Sequence, residues 1–196
     1  MPQGGSLVQP CVADTDLSLR KFFETASKMP WFENTLFIFV ADHVSPQMAA
    51  EETRTAKGNT AIIYFMYTPD HSIKGSYEHV TQQVDIMPTT LGLMGYDKPY
   101  FAFGRDVFNE PERKPLVVNC VQQTYQALTD SLSLYFDGEH RLFVYAADDT
   151  LQQQNIMDLN SPLQKSLERD LKAQLQSYYA HVGQGDLLPM KSDKRK

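Results

Sequence analysis

Asn34-Thr35-Leu36-Phe37-Ile38-Phe39-Val40-Ala41-Asp42-His43 is an apolar run that stops on an acid and an imidazole. Thr35 to Ala41 is rich in β-branched and aromatic side chains and has no charge, the composition of a strand buried on both faces of a sheet. In open α/β sheets, ligands collect at the carboxyl ends of such strands. There, Asp42 and His43 present a carboxylate oxygen and a ring nitrogen to one point, a donor pair suited to zinc or manganese. A plainer reading has Asp42 capping the next turn and His43 as an ordinary loop residue. For a strand end taken alone, that is the commoner case.

Upstream, residues 15–28 read as an amphipathic helix. Leu19, Phe22, Phe23 and Ala26 fall at i, i+3, i+4 and i+7, behind the capping candidates Asp14, Thr15 and Asp16. Pro30 ends the helix, and Trp31-Phe32 is placed to pack beneath the strand. A helix followed by a buried strand is the alternation that predicts a mainly parallel sheet. Downstream, residues 45–59 are polar and read as a loop over the strand ends. Residues 60–67, Thr-Ala-Ile-Ile-Tyr-Phe-Met-Tyr, read as a second buried strand. Asp85 to Gly95 reads as a short helix, with Asp85 as N-cap, Pro88 in the first turn and Gly95 as its stop.

After residue 110 the pattern changes to short alternating runs. Residues 116–120, 131–136 and 141–145 predict an antiparallel meander, with Asp137-Gly138 at one turn. Ser161-Pro162-Leu163-Gln164 then opens a helix with a capping-box pattern. Leu163, Leu167, Leu171, Leu175 and Tyr178 form its apolar stripe, and Gly183 is its expected end. The expected organisation is therefore an α/β part over residues 1–110, a β-meander plus helix over 111–186, and a polar tail over 187–196.

At 196 residues with 42% hydrophobic content, the chain can build a real core. A net charge of −6 and the lack of a basic patch interleaved with aromatics argue against nucleic acid as a partner. Cys11 and Cys120 lie far apart and fit no CxxC pattern, so they read as free buried thiols rather than zinc ligands. No window reaches the length of a membrane span, and Met1 is not followed by a signal-peptide pattern. As given, the chain reads as soluble.

Four pieces in this order resemble the C-terminal part of a sulfatase-type enzyme of the alkaline-phosphatase superfamily. They are residues 16–23, Trp31 to His43, Gln83-Val84-Asp85-Ile86-Met87-Pro88-Thr89, and Gly95 to Gly104. By pattern they are most similar to the bacterial membrane sulfatases that include lipoteichoic acid synthase and other phosphoglycerol transferases. The resemblance implies a partial alkaline-phosphatase-like sheet with flanking helices. It also implies that Asp42 and His43 bind a divalent metal (manganese, magnesium, calcium or zinc) beside the nucleophile. The implied substrates are sulfate esters or phosphodiesters, with phosphoglycerol or phosphoethanolamine transfer among the activities. The whole protein is expected to be anchored in the bacterial cell membrane, with this part outside the cytoplasm. Asp85 and Pro88 match motif positions but read as helix-capping residues. His71, His79, His140 and His181 have no motif support and read as surface residues.

The sequence also departs from that family. Neither Cys11-Val12-Ala13 nor Cys120-Val121-Gln122 fits the Cys/Ser-x-Pro-x-Arg segment in which sulfatases form formylglycine. Nothing in the about forty residues before Asp42 matches the threonine nucleophile segment or the acidic metal ligands of the transferases. Around the second strand the chain has Gly58, Asn59 and Ile63, where relatives carry a glycine, a basic residue and a leading proline. The expectation is a fragment with half of a two-part active site. It holds no catalytic residue of its own, leaves its metal site unfilled and is inactive alone. Its uncovered sheet edge is expected to make it self-associate. The alternative is a non-catalytic α/β association module.

Overall fold

The structure, a computed structural model, describes residues 8–45, 50–185 and 187–188, the side chains of residues 8 and 9 excepted. The chain forms two compact units that meet between Tyr77 and Glu78. Residues 78–110, grouped in the sequence reading with the first part, belong to the second unit. Most of the polar tail and residues 46–49 of the expected loop lie outside the described residues.

The first unit holds helix α1 (Val8–Ala26) and strands β1 (Phe37–Val40) and β2 (Tyr64–Tyr67). Helix α1 begins earlier than its capping candidates imply. Asp14, Thr15 and Asp16 lie inside it, and the hydroxyls of Thr15 and Ser18 donate back to the carbonyls of Cys11 and Asp14 at 2.8 Å. Such back-bonding lets these residues sit within a helix. Phe23 projects onto the strands and meets the rings of Phe37, Phe39 and Tyr67 at 5.1, 6.2 and 5.9 Å between centroids. Phe32 is buried against Phe23 and Phe37, as its position before β1 predicts, whereas Trp31 faces solvent.

Two expectations for this unit are corrected. Strands β1 and β2 pair antiparallel, Phe37 opposite Tyr67 and Val40 opposite Tyr64, where helix–strand alternation predicts a parallel sheet. A parallel return usually needs a helical crossover. Here the described part of the connection contains only the 3₁₀ turns Glu51–Arg54 and Gly58–Thr60. Neither strand is buried on both faces: Val40 is 44% and Phe65 50% exposed. Cys11 and Cys120 are also exposed rather than buried.

The second unit holds α2 (Ile86–Leu93), the meander β3 (Val117–Val121), β4 (Thr124–Leu128), β5 (Leu132–Phe136) and β6 (Arg141–Ala146), and helix α3 (Pro162–Gln184). The antiparallel meander and C-terminal helix expected from the sequence are present. Strand β4 escaped the sequence reading. It follows a two-residue turn in which Gln122 and Gln123 both take positive φ, 49° and 65°, a conformation usually signalled by Asn-Gly. Leu167 and Leu171 of α3 bury themselves against Ala127, Leu132, Leu134, Phe136 and Val144. The capping box at Ser161 and Gln164 forms as predicted. The helix passes through Gly183 and ends at Gly185, whose φ of 65° supplies the left-handed cap.

Helix and sheet are also tied by charge. Arg141 on β6 donates to Glu168 on α3 at 2.6 Å, and Lys172 donates to the same carboxylate at 2.7 Å. These two cations, Lys172 first, hold the Glu168 carboxyl below its ordinary value of 4.5. A carboxyl depressed in the folded state stabilises above its unfolded pKa, and that contribution is lost as pH falls through the folded pKa. Urea denaturation of Glu168→Gln should therefore show a lowered midpoint at pH 7. The gap from wild type should close as pH falls through the lowered folded pKa of Glu168, below which both chains carry a neutral group.

Candidate metal-ligand pair

Strand β1 carries its ladder one residue past its end, with the Ala41 amide donating to the Ile63 carbonyl at 3.0 Å. The chain then turns outward, which puts Asp42 and His43 side by side at the strand's carboxyl end, where the sequence placed them. Asp42 Oδ1 accepts the His43 backbone N–H at 2.9 Å. His43 Nδ1 lies 3.1 Å from the Val44 carbonyl oxygen. Only a protonated ring nitrogen can bond to a carbonyl, so in the neutral ring this contact assigns the proton to Nδ1 and the lone pair to Nε2.

Nε2 and Asp42 Oδ2 are 3.4 Å apart. Tetrahedral zinc with nitrogen and oxygen ligands at about 2.0–2.2 Å requires a donor–donor distance of about 3.4 Å. The two donors therefore fit two positions of one cation. They do not make a complete site, because the described residues contain no group of three or more His, Cys, Asp or Glu arranged to hold a metal ion. Both side chains are open to solvent, Asp42 at 86% and His43 at 72% exposure.

Two other histidines stand beside an aspartate, but in different settings. His79 Nδ1 lies 2.7 Å from Asp130, whose second oxygen accepts the Val80 amide. Asp137 caps the amides of Glu139 and His140 in the turn before β6. His181 packs on the rings of Phe101 and Phe103. Asp130 and Asp137 are engaged by backbone amides, whereas Asp42 and His43 combine a 3.4 Å donor spacing with more than 70% exposure of both side chains at a strand end.

Asp85 serves the fold, but differently from the expected N-cap: its side chain makes no capping bond to α2. Buried to 4% exposure, it accepts the Gln82 amide on one oxygen at 3.1 Å and the Arg105 amide on the other at 2.9 Å. Thr89, fully buried, completes the tie by donating to the Arg105 carbonyl and accepting the Val107 amide. Gly104 must be glycine, because a Cβ there would lie 2.0 Å from the Val84 carbonyl oxygen. The Asp85-x-x-Pro88-Thr89 motif thus clamps the Gly104-Arg105-Asp106 segment to the start of α2. The sequence held both segments but nothing in it signalled that they bond to each other. At the other end of α2, Gly95 stops the helix as predicted, with φ at 67°.

Residues 8–96 match the family model described as Sulfatase. That segment takes in the whole first unit's described helix and strands, the Asp42–His43 pair and the Asp85-x-x-Pro88-Thr89 side of the clamp, while residues 104–107 on its other side lie beyond the match. The chain as a whole is similar in structure to a protein in the alkaline phosphatase superfamily from Vibrio parahaemolyticus. The TM-score is 0.74 and the identity 20%, over 97% of this chain and 46% of that one. The likeness is one of fold, and this chain spans about half the length of the Vibrio chain. No curated protein matches the sequence. Among the described residues, no helix is long and apolar enough to cross a membrane.

The clamp and the metal-ligand pair are separable by mutation. Asp85→Ala strands two amides, each costing about 1–3 kcal/mol when left buried without an acceptor. A loss of roughly 2–4 kcal/mol in urea denaturation is expected, with the ring resonances of the exposed His43 unshifted.

Proposed function

We propose that this chain contributes one half of a divalent-metal site for sulfuryl or phosphoryl transfer, with Asp42 and His43 as two of the ligands. The observation that carries the reading is the outward-facing pair of donors 3.4 Å apart at the end of β1, inside the segment that matches the Sulfatase model. The Nδ1 contact with Val44 supports it, since it leaves Nε2 available as a ligand, the role outer-shell carbonyls commonly play at metal-bound histidines. A bound divalent ion would polarise a nucleophile and neutralise charge developing on the transferred group's oxygens.

The remaining ligands and the nucleophile belong, in this proposal, to a polypeptide segment these residues do not contain. The whole protein then acts on sulfate esters or phosphodiesters. The four sequence pieces favour a phosphoglycerol or phosphoethanolamine transferase related to lipoteichoic acid synthase, membrane-anchored with this part outside the cytoplasm. Manganese, magnesium, calcium and zinc all suit a carboxylate–imidazole pair as partial ligands. The chain alone is expected to bind them weakly, since two protein ligands fall short of the three or four of a stable site.

Weak binding is still readable with a paramagnetic ion. In a titration of the chain with manganese followed by proton NMR, the ring resonances of His43 should broaden before those of His71, His79, His140 and His181. Asp42→Ala should remove that order. Broadening that begins at another histidine, or that survives in Asp42→Ala, would contradict the assignment.

A further inference from the structure

We infer that the second unit carries a binding cavity for a free amphipathic monoanion, an aliphatic body with a single carboxylate-type charge. The cavity lies between residues 114–116, the β4–β5 turn at 129–132 and the first turns of α3, and has a volume of about 560 Å³. Small-molecule sites typically measure roughly 300–1,000 Å³ and combine an apolar lining with a few convergent polar groups. This one lies wholly outside residues 8–96, so it is independent of the Asp42–His43 pair and of the metal reading.

The apolar lining is fixed by the fold itself. Leu132 and Leu167, 6 and 4% exposed, belong to the core between α3 and the sheet. Leu163 stands on the same helical stripe as Leu167, where core contact is expected, yet it is 55% exposed and lines the cavity instead. The turn that forms another wall is tied to itself. The Thr129 amide donates to the Leu132 carbonyl at 2.9 Å, and the Thr129 hydroxyl oxygen accepts the Ser131 and Leu132 amides at 3.3 and 3.0 Å. A wall already ordered in this way spares a ligand the entropy of ordering it.

The charged side chains of the lining set the sign of the ligand. Asp130 is already engaged: one oxygen lies 2.7 Å from His79 Nδ1 and the other accepts the Val80 amide at 2.8 Å. Asp170 lies 3.9 Å from Arg169 Nε, and Arg169 also donates to the Ser166 hydroxyl at 3.1 Å. Lys114 has no hydrogen-bond or ion-pair partner among the described residues. What the cavity leaves unanswered is therefore one ammonium group beside a leucine-lined space. A single negative charge on an apolar body answers both, through a charge-assisted hydrogen bond and buried aliphatic surface. A dianion such as a phosphate monoester meets twice the repulsion from Asp130 and Asp170, and a neutral amphiphile forfeits the Lys114 contact.

The test is a methyl-resolved NMR titration of the full chain with sodium octanoate, beside octanol as the uncharged body and acetate as the head alone. Lys114→Gln removes the cation, and Leu163→Asn removes part of the apolar lining at an exposed position. Lys165→Gln, an exposed lysine on α3 that does not line the cavity, is the control. Octanoate should give saturable shifts centred on the methyl groups of Leu132, Leu163 and Leu167, octanol should bind at least fivefold more weakly, and acetate should give none. Lys114→Gln should bring octanoate down to the affinity of octanol, Leu163→Asn should weaken both, and Lys165→Gln should change neither. Absence of saturable shifts at these methyl groups would overturn the inference. So would octanol binding as tightly as octanoate, or an octanoate affinity that Lys114→Gln leaves unmoved.

Discussion

A strand needs cover on its faces and partners on its edges, and the first unit meets that requirement on one side only. Phe23 of α1 reaches Phe37, Phe39 and Tyr67, and this aromatic contact is what holds β1 and β2 against the helix. Everything of chemical interest in the unit hangs from it. Asp42 and His43 emerge two and three residues beyond the end of β1, so their position is only as firm as the strand pair that carries them. Their spacing suits a cation, yet their exposure means that little besides the local turn and the Val44 carbonyl fixes them. Electrostatic work in a site of this sort is strongest where water is excluded. A covering segment would therefore complete the ligand set, shield the pair and stabilise the strand beneath it at once.

The second unit is built on the opposite terms. Its four-stranded sheet is sealed by Leu167 and Leu171 of α3, and the Arg141–Glu168–Lys172 cluster joins helix to sheet at the margin of that core. The Asp85 clamp adds a buried polar tie, a carboxylate on two amides and a threonine bridging a carbonyl and an amide. Such buried networks fix one local arrangement. Part of the Sulfatase match thus reflects architecture rather than chemistry, since Asp85, Pro88 and Thr89 all lie inside the protein.

Much of this could be read from the sequence where a local rule applied. The capping box at Ser161, the stop at Gly95, the alternation of 131–136 and the helical spacing of Phe22, Phe23 and Ala26 each follow from contacts within a few residues. So does the Asp42–His43 pair, because a strand end is a local event. What escaped depended on distant partners or atypical turns. Strand β4 was hidden behind Gln122-Gln123, a pair with little intrinsic preference for positive φ. The antiparallel sense of β1 and β2 depends on a connection without a helix. Burial of 35–41 was over-read because an uncharged run states what the strand requires and not whether these residues supply it. The Asp85–Arg105 bond joins residues twenty apart in the chain, and no spacing rule predicts it.

The central claim is that the unit bearing the Asp42–His43 pair is not self-sufficient, while its neighbour is. Amide hydrogen exchange on dilute, monomeric chain tests this directly, because exchange reports the opening free energy of each region separately. The account predicts that amides of β4 and β5 exchange only through global unfolding. Those of β1 and β2 should exchange orders of magnitude faster under the same conditions. Equal protection of β1 and β5 in the monomer would show that the first unit supports itself, and would contradict the account.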